Sequence, residues 1–425
     1  MVSDRILRGA LGAFLFIGIF AGCSEQVTGS LGCPALCIDE SAALRDTILT
    51  GAVILDSTFL GFPRPGEARD FTLLAQGDTA DVRLGIHYDT LPATYQIVGA
   101  STDSLIRKVD SATIIFLIDT LVTKPTTPIT IDAFDIDTTA TDTLTATIAP
   151  LYRTSRLLGS QTFQAADFKS DTVRLALSNA ALFAKLKDTL RLRIGLQVRG
   201  ASTARMRVLS TLFPPRIRFR VSSDTTVKPD TIFPKSATPP GDAFRQAAFR
   251  VFPVVVKGLL AAPPTGRFVV GGLAGARAYL RFDIPATVLD SVSVIRASLL
   301  ITQVRARSTG ATSDSVSIYT QPVLAAPTVT DIFTAATFLG PQGLYGVDSV
   351  RFTPRDSGQR SIELVNLLRL WRSAGTTNTT RAIVLRSPQE GNTAGELNFV
   401  STEGQAELRP RLRITYVPRR GFGIP

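Results

Sequence analysis

The chain has 425 residues, of which 44% are hydrophobic and 19% are charged, and its formal net charge is +11. This composition, with a mean hydropathy of +0.20, is too apolar for a disordered chain, and the length allows two or three domains with a sizeable buried core. After the first residues, no stretch reaches transmembrane length without charges.

The start of the chain has the organisation of an export signal. Arg5 and Arg8 give a basic beginning, an apolar run extends from Leu11 to Phe20, and small residues directly precede Cys23. This order is typical of a secretion signal. The apolar run is about half of the roughly 20 residues that a membrane-spanning helix needs.

Residues 20–23, Phe-Ala-Gly-Cys, resemble the lipobox of bacterial lipoproteins. The resemblance implies that residues 1–22 are a signal peptide, and that Cys23 is acylated and anchors the chain to a membrane. Ser24 stands where an Asp would resemble the inner-membrane retention signal, which favours the outer membrane. We therefore expect a lipid-anchored protein of the cell envelope. An ordinary signal peptide with an incidental cysteine is the alternative.

A close pair of cysteines, Cys33 and Cys37, lies in the tether formed by residues 23–44. In an exported protein such a pair predicts a small disulfide loop. A metal site is the alternative, but two thiols with one distant histidine suit zinc poorly.

The basic surplus lies in the C-terminal half, because residues 241–425 carry 21 basic and 12 acidic side chains. Nearly all of the basic residues are arginines, which suit bidentate contacts with anions. Arg409, Arg411 and Arg413 alternate along a strand pattern, which is typical of a solvated sheet face. An acidic polysaccharide or lipopolysaccharide surface is the functional alternative. Nucleic acid is not an expected partner, because no binding module for it is recognisable.

Short apolar stretches with period-two alternation recur along the chain, separated by clusters of Gly, Pro and Asp. Such stretches predict strands with one buried face, and the clusters predict turns. Many short strands with little helix indicate an all-β protein built from antiparallel, jelly-roll-like sandwiches. The clearest stretches are residues 113–118, 130–136, 191–196 and 315–319.

Two segments have the spacing of short amphipathic helices. They are residues 178–186 and 361–371, and Trp371 lies on the apolar face of the second. We expect one such helix in each β-domain, with Trp371 in the core.

Residues 222–242 are rich in Pro, Ser, Thr and Asp and have the composition of a linker. Strand, helix and closing-strand patterns follow one another in the same order on both sides of this segment, which predicts a tandem duplication. We therefore expect two tandem antiparallel sandwiches, at residues 45–221 and 243–418, followed by a tail at 419–425.

The C-terminal copy resembles the DNRLRE family of β-sandwich domains, some of which are classed as carbohydrate-binding modules. The resemblance covers about residues 245–417 and reaches 45–222 only through the duplication. It implies a β-sandwich and, as in some members, carbohydrate binding. The N-terminal copy departs from the pattern, with His-Tyr-Asp at 87–89 in place of Phe-Asp. The matching pieces are residues 278–284, 295–301, 370–371, 383–387 and 409–416.

No catalytic signature is present: GxSxG, HExxH, P-loop and dinucleotide motifs are all missing. His87 lies in a strand-like segment, and the sequence nominates no partner for it, so we expect no catalytic residue and no enzyme activity. The glycines at 271–275 precede a strand and predict a loop. Asp132, Asp135 and Asp137 form the densest acidic cluster. They are expected to be exposed strand residues, with a structural calcium ion as the alternative, and no other cofactor is expected.

Sugar binding usually needs an aromatic platform, and this chain is poor in aromatic residues. The tyrosines are the remaining candidates, and Tyr345, which lies between glycines, is the one best placed for a ligand-binding loop. The seven are Tyr88, Tyr95, Tyr152, Tyr279, Tyr319, Tyr345 and Tyr416.

Three functions compete. The preferred hypothesis is a non-catalytic envelope lipoprotein whose sandwiches bind or organise glycan. The second is a structural or assembly protein that contacts other envelope proteins, and the least favoured is a polysaccharide hydrolase or lyase. An exposed row of Tyr and Arg across one sheet would favour glycan binding, whereas a flat apolar patch would favour a protein partner.

Overall fold

The computed structural model confirms the predicted all-β fold, with 52% of the described residues in strands and 14% in helices. In the part of the chain that it describes, no helix is long and apolar enough to cross a membrane. The described residues are 44–60, 71–78, 80–89, 91–97, 102–119, 125–200, 204–211, 213–222, 227–236, 249–259, 262–306, 315–323, 350–373, 381–387, 390–391 and 393–418.

The first sandwich consists of a seven-stranded and a four-stranded sheet, with a short ribbon, β5 (Thr94–Tyr95) and β6 (Ser104–Leu105), beside them. The strands of the seven-stranded sheet are β3 (Phe71–Gln76), β4 (Asp81–Tyr88), β8 (Ile129–Asp135), β9 (Leu157–Phe163), β11 (Leu192–Gly200), β12 (Ala204–Leu209) and β15 (Val251–Lys257). Those of the four-stranded sheet are β7 (Ser111–Leu117), β10 (Thr172–Ala176), β13 (Arg216–Arg220) and β14 (Asp230–Ile232).

The second sandwich consists of a six-stranded and a five-stranded sheet. The strands of the six-stranded sheet are β1 (Arg45–Leu49), β16 (Arg267–Gly271), β18 (Val292–Val304), β21 (Gly358–Glu363), β23 (Glu396–Val400) and β24 (Arg411–Pro418). Those of the five-stranded sheet are β2 (Val53–Phe59), β17 (Arg277–Phe282), β19 (Val316–Val323), β20 (Val350–Phe352) and β22 (Ala382–Arg386).

Short helices connect some of the strands. The predicted helix at 178–186 is present as α2, capped by the Ser178 side chain, which accepts a hydrogen bond from the amide of Ala181. The helix expected at 361–371 begins only at Val365, because the residues before it pair with β18 as the end of β21. The helices are α1 (Thr145–Ile148), α2 (Asn179–Lys187), α3 (Ala286–Leu289) and α4 (Val365–Ser373), with 3₁₀ turns at Ala149–Leu151, Thr154–Arg156, Ala165–Lys169 and Ala406–Leu408.

Because successive side chains of a strand point to opposite faces, alternate residues face the core and the solvent. In β13, Ile217 and Phe219 are buried in the first core, whereas Arg216, Arg218 and Arg220 lie on the other face. The same alternation builds both cores, each of which is lined almost entirely by aliphatic and aromatic side chains. Burial of these faces is the main force that stabilises the two sandwiches.

Nine strands of each sandwich correspond in topology, whereas β3 and β12 lie in the sheet of β4, and β16 and β23 lie in the sheet of β18. In the first sandwich, one sheet has the strand order β10, β7, β13, β14. In the second sandwich, the corresponding strands have the order β21, β18, β24, β1. The other sheets also correspond. The strand order β15, β4, β11, β8, β9 in the first sandwich matches the order β2, β17, β22, β19, β20 in the second. This correspondence supports the tandem duplication that the sequence predicts.

The leading strands of the two halves are exchanged, because each pair lies in the sandwich of the other half. β1 and β2, which precede the first sandwich in the chain, pair with β24 and β17 of the second. β14 and β15, which precede the second sandwich, pair with β13 and β4 of the first. The observed sandwiches therefore differ from the predicted limits of 45–221 and 243–418 at these four strands. β14 also lies inside the segment predicted as a linker.

The exchanged strands are packed into their host sheets. Phe252 of β15 is fully buried, and its ring lies against the Cα of Gly85 in β4, where a side chain would collide with it. Val53 of β2 is 6% exposed and belongs to the second core. A further apolar cluster joins the two halves, because Leu273 packs with Leu73 and Val82. These contacts couple the two sandwiches physically.

Candidate functional site

Four residues singled out by the sequence lie outside the described residues. They are the lipid-attachment candidate Cys23, the disulfide candidates Cys33 and Cys37, and the ligand-binding candidate Tyr345. Lipid attachment, the disulfide and the role of Tyr345 therefore stay predictions.

The acidic cluster is not exposed as predicted, since Asp132 is buried and Asp135 and Asp137 are only partly exposed, and basic side chains balance its charge. Asp132 accepts two hydrogen bonds from Arg199, at 2.5 and 3.0 Å. Lys185 lies 3.2 Å from Asp135 and 3.7 Å from Asp137. Across the described ranges, no group of three or more Asp, Glu, His or Cys side chains is placed to hold a metal ion. Carboxylates already paired with cations do not fit a calcium site.

His87 is buried, and its Nδ1 lies 3.4 Å from Oδ2 of Asp142. Arg193 lies 2.9 Å from the other oxygen of this carboxylate, and Arg250 is 3.5 Å from Oδ2. Burial on its own would raise the pKa of Asp142, but the hydrogen bond with His87 and the charges of both arginines hold that pKa below its ordinary value. The cluster joins β4, β11 and the residues before β15, and it has a structural role.

Trp371, Tyr88 and Tyr279 are buried, and the other tyrosines among the described residues are partly exposed. Trp371 is 1% exposed and lies 5.4 Å from the ring of Phe282, which confirms its predicted place in the core. Tyr88 is fully buried, and its hydroxyl donates to the carbonyl of Pro215 at 3.1 Å. The tyrosines that pack against a core from its rim are Tyr95 and Tyr416, and those on outer sheet faces are Tyr152, Tyr279 and Tyr319.

Tyr319 lies on the outer face of the five-stranded sheet, directly opposite Arg386 of the adjacent strand. The neighbouring residues Val316 and Ile318 point into the core, which turns Tyr319 outwards. Both Tyr319 and Arg386 are partly exposed. Side chains at directly opposed positions have Cβ atoms about 4.5–5.5 Å apart. We call this pair, with the partly exposed Gln321 one row further along, the Tyr319–Arg386 face.

A buried ion pair lies beside this face, on the same outer side of the sheet. Arg277 of β17 is 1% exposed and donates three hydrogen bonds of 2.8–3.1 Å to Glu390, which is 3% exposed. Nε of Arg386 lies 3.7 Å from the same carboxylate. Glu390 thus ties a buried guanidinium to a partly exposed one. Such pairs are costly to desolvate and hold their partners in a fixed geometry.

A small apolar cluster adjoins the face on its other side. It contains Tyr279, Val323, Ala382 and Val384, with Phe59 against them. Burial raises the pKa of Tyr279, so its hydroxyl stays protonated. The accessible part of the face is therefore one aromatic ring, one guanidinium and one amide, supported by an apolar cluster and an ion pair.

The sequence named only some of these residues in advance. Tyr319 was among the aromatic candidates, and Arg386 belongs to a segment that resembles the DNRLRE family. The partnership of Arg277 with Glu390 was missed, because the two residues are 113 positions apart and no local pattern joins them. The available signal was Arg277 at the start of the strand RAYLRF, which is apolar apart from its two arginines.

No protein-family model matches this chain, and no curated protein matches it. Among solved structures, the chain is similar to that of the Macrobrachium rosenbergii nodavirus, at 8% identity and a TM-score of 0.17 over 93% of this chain and 95% of that one. It is also similar to the CBM22-1–CBM22-2 tandem domain of Xyn10C from Paenibacillus barcinonensis, at 9% identity and a TM-score of 0.16 over 90% of this chain and 100% of that one. Similarity this low carries no argument about function, which rests on the chain's own residues.

Proposed function

We propose that this chain is a non-catalytic, lipid-anchored protein of the bacterial cell envelope, and that its second sandwich binds glycan through the Tyr319–Arg386 face. The leader and the lipobox-like residues 20–23 support the anchoring at Cys23. The outer membrane is the expected location, and the glycan is a polysaccharide of the cell surface.

The placing of Tyr319 opposite Arg386 is the observation that carries the glycan proposal. An aromatic ring can stack against the apolar face of a sugar, and a guanidinium donates several hydrogen bonds in a fixed fork to hydroxyl or carboxylate oxygens. The contact with Glu390 restricts the motion of the Arg386 head group. A preorganised donor beside an aromatic ring loses less entropy on binding than two mobile side chains would.

Two further observations support binding without catalysis. The one histidine is buried and faces a carboxylate, so it does not offer an accessible base. The Glu390 carboxylate accepts hydrogen bonds from Arg277 instead of facing solvent as an acid or nucleophile would.

A glycan-array measurement on residues 24–425, with and without calcium, tests the proposal. Tyr319→Ala and Arg386→Gln should each weaken binding by about tenfold, because each removes one of the few accessible contacts. Arg296→Gln is the matched control, since that arginine is exposed on the opposite sheet. If no glycan bound while a pulldown recovered one envelope protein, a structural or assembly role would replace glycan binding.

The anchor has a separate test. Mass spectrometry of the mature protein should find acyl groups on Cys23 and no residues from 1–22. Cys23→Ser should release the protein from the membrane fraction. An unmodified thiol at this position would contradict the anchoring without affecting the glycan result.

A further inference from the structure

Exposed apolar side chains gather at one end of the first sandwich. Most large apolar residues of this sandwich are buried, so these exceptions call for an explanation. Those at this end, with their exposed fractions, are Leu105 (64%), Leu144 (52%), Leu157 (40%), Leu190 (45%), Phe213 (50%) and Phe233 (53%), whereas Val256 of β15 (45%) is exposed at the other end.

Hydrogen bonds and register bring three of their loops together where β4 ends. Tyr88 stands opposite Leu192 at the start of β11. The Tyr88 hydroxyl donates to the carbonyl of Pro215, and the amide of Lys235 donates to the carbonyl of His87 at 2.7 Å. Each of these contact residues, Leu192, Pro215 and Lys235, follows an exposed apolar residue by two positions. The exposed residues are Leu190, Phe213 and Phe233, respectively. We call these three residues the apolar tips.

The remaining exposed residues belong to the same end. Leu144 follows Asp142, which contacts His87 of β4. Leu157 begins β9 opposite Phe134, close to the end of β8. Leu105 lies in the ribbon that follows β4, where it pairs with Thr94. The apolar residues therefore come from several separate loops and do not form one flat sheet.

The adjoining face of the four-stranded sheet carries four arginines. Arg216, Arg218 and Arg220 alternate on β13, about 7 Å apart along the strand. Arg174 of β10 stands across β7 from Arg216, since both are opposite Ile115. Throughout the described ranges, no hydrogen bond or ion pair engages any of these four guanidinium groups. We call them the arginine face.

Two exposed arginines on the second sandwich have carboxylate partners. Arg413 is bound to Asp46 at 2.6 Å, and Arg296 contacts Glu363 at 3.2 Å. The basic surplus of the C-terminal half is thus partly neutralised on its own sheet. No acidic side chain among the described residues pairs with the arginine face, although the first half of the sequence is nearly balanced overall.

The apolar tips and the arginine face are continuous. Ile217 pairs with Ile232, which places Arg216 beside Phe233 at the start of β13. Phe213 lies three residues before Arg216 on the same chain. Apolar groups thus project at the end, with positive charges directly behind them.

We propose that this end of the first sandwich docks onto an anionic lipid surface. Phe213, Phe233 and Leu190 enter the headgroup–acyl boundary, while Arg216 and Arg174 contact lipid phosphates. A membrane accepts apolar side chains on separate loops, and anionic headgroups complement unpaired arginines. A protein partner would instead favour a flat, continuous apolar patch, and an acidic polymer would not use the apolar tips. The docking is independent of glycan binding by the second sandwich.

Vesicle flotation tests this docking. Residues 24–425, which lack Cys23 and so cannot be acylated there, should bind phosphatidylglycerol–phosphatidylethanolamine vesicles, and bind pure phosphatidylcholine vesicles at least about tenfold more weakly. The double variant Phe213→Ser/Phe233→Ser should lose about tenfold on both kinds of vesicle. Arg174→Gln/Arg216→Gln should lose binding only to the anionic vesicles. Added salt should weaken binding of the parent protein to these vesicles in the same way.

Matched controls come from the second sandwich. Ile295→Ser removes an equally exposed apolar side chain, and Arg409→Gln removes an exposed arginine there. Neither should change vesicle binding, and thermal unfolding of all variants should match the parent. No binding to vesicles, or binding unchanged by the Phe213 and Phe233 substitutions, would overturn the proposal. Binding to an acidic polysaccharide alone, lost in the arginine variant, would reassign the arginine face to a polymer.

A depth measurement gives a second readout. Phe213→Trp places an indole at a tip, while the native Trp371 is buried in the other sandwich. Brominated lipids should quench the new fluorophore and leave Trp371 unquenched. Equal quenching in the parent and the variant would contradict insertion of this loop.

Discussion

Asp46 and Arg413 are 367 positions apart in the sequence, yet the Asp46 carboxylate accepts hydrogen bonds of 2.6 and 2.9 Å from the Arg413 guanidinium. The contact exists because β1 pairs with β24 in antiparallel register. It joins the first described strand to the last one. The hydrogen bond from Arg413 also lowers the pKa of Asp46.

The exchange of leading strands predicts that neither half folds alone. Residues 243–418 lack β1 and β2, so both sheets of the second sandwich lose an edge strand and the core loses Val53. We expect this fragment to give a poorly dispersed amide NMR spectrum. Adding a peptide of residues 44–60 in trans should restore dispersion. A peptide of residues 227–259 is the control, and a well-dispersed fragment without any peptide would contradict the exchange.

The coupling of the sandwiches predicts one cooperative unfolding transition. Trp371 fluorescence reports on the second core, because that side chain is 1% exposed within it. Phe219→Ala in the first core should cost about 3–5 kcal/mol and should lower the midpoint of the Trp371 signal together with that of circular dichroism. Phe213→Ala, at an exposed position, should leave both midpoints unchanged. If Phe219→Ala left the midpoint of the Trp371 signal unchanged, the two sandwiches would unfold independently.

The buried pair of Arg277 and Glu390 predicts a strongly non-additive double-mutant cycle. Arg277→Met or Glu390→Leu alone should lower the free energy of unfolding by about 3–5 kcal/mol, because each leaves a buried charge without its main partner. The double substitution should cost less than the sum of the two, since no charge of the pair then remains. Urea denaturation measures all three variants. Additive losses would show that the two residues act separately.

The Asp142 cluster predicts a pH-dependent contribution to stability. The folded pKa of Asp142 lies below its ordinary value of 3.8, so the ionised form stabilises the fold above that value, and the contribution is lost as the pH falls through the folded pKa. Asp142→Asn should cost about 3 kcal/mol at about pH 7, and the difference from the parent should shrink at about pH 3. Denaturant titrations at both pH values measure it, and a pH-independent difference would contradict this account.

Local patterns in the sequence sufficed to predict the strands but not their partners. The alternation in residues 113–118 and 130–136 identified β7 and β8 nearly to the residue, because side-chain period depends only on the backbone. The pairing of β1 with β24 depends on which edge is free after the rest has folded. No local pattern contains that information, so the predicted limits placed β1, β2, β14 and β15 in the wrong sandwiches.

The distribution of charge on the surface also depends on contacts between distant residues, which the sequence does not reveal. Counting residues located the basic surplus in the C-terminal half, but pairing decides which arginines stay unneutralised. Arg413 is paired with Asp46, whereas Arg218, in a half that is nearly balanced by count, has no ion pair among the described residues. Composition therefore predicted the total charge and not its distribution over the surface.

The position of β1 also determines when this protein can finish folding. For a chain that crosses a membrane from its N-terminus, β1 and β2 arrive first, whereas β24, to which β1 is hydrogen-bonded, arrives last. Contacts of such long range are slow to form. During translocation the early strands keep unsatisfied backbone groups and an uncovered apolar side, which are features that periplasmic chaperones recognise and that promote aggregation. Under the proposed export, the second sandwich can therefore be completed only after β24 has crossed the membrane.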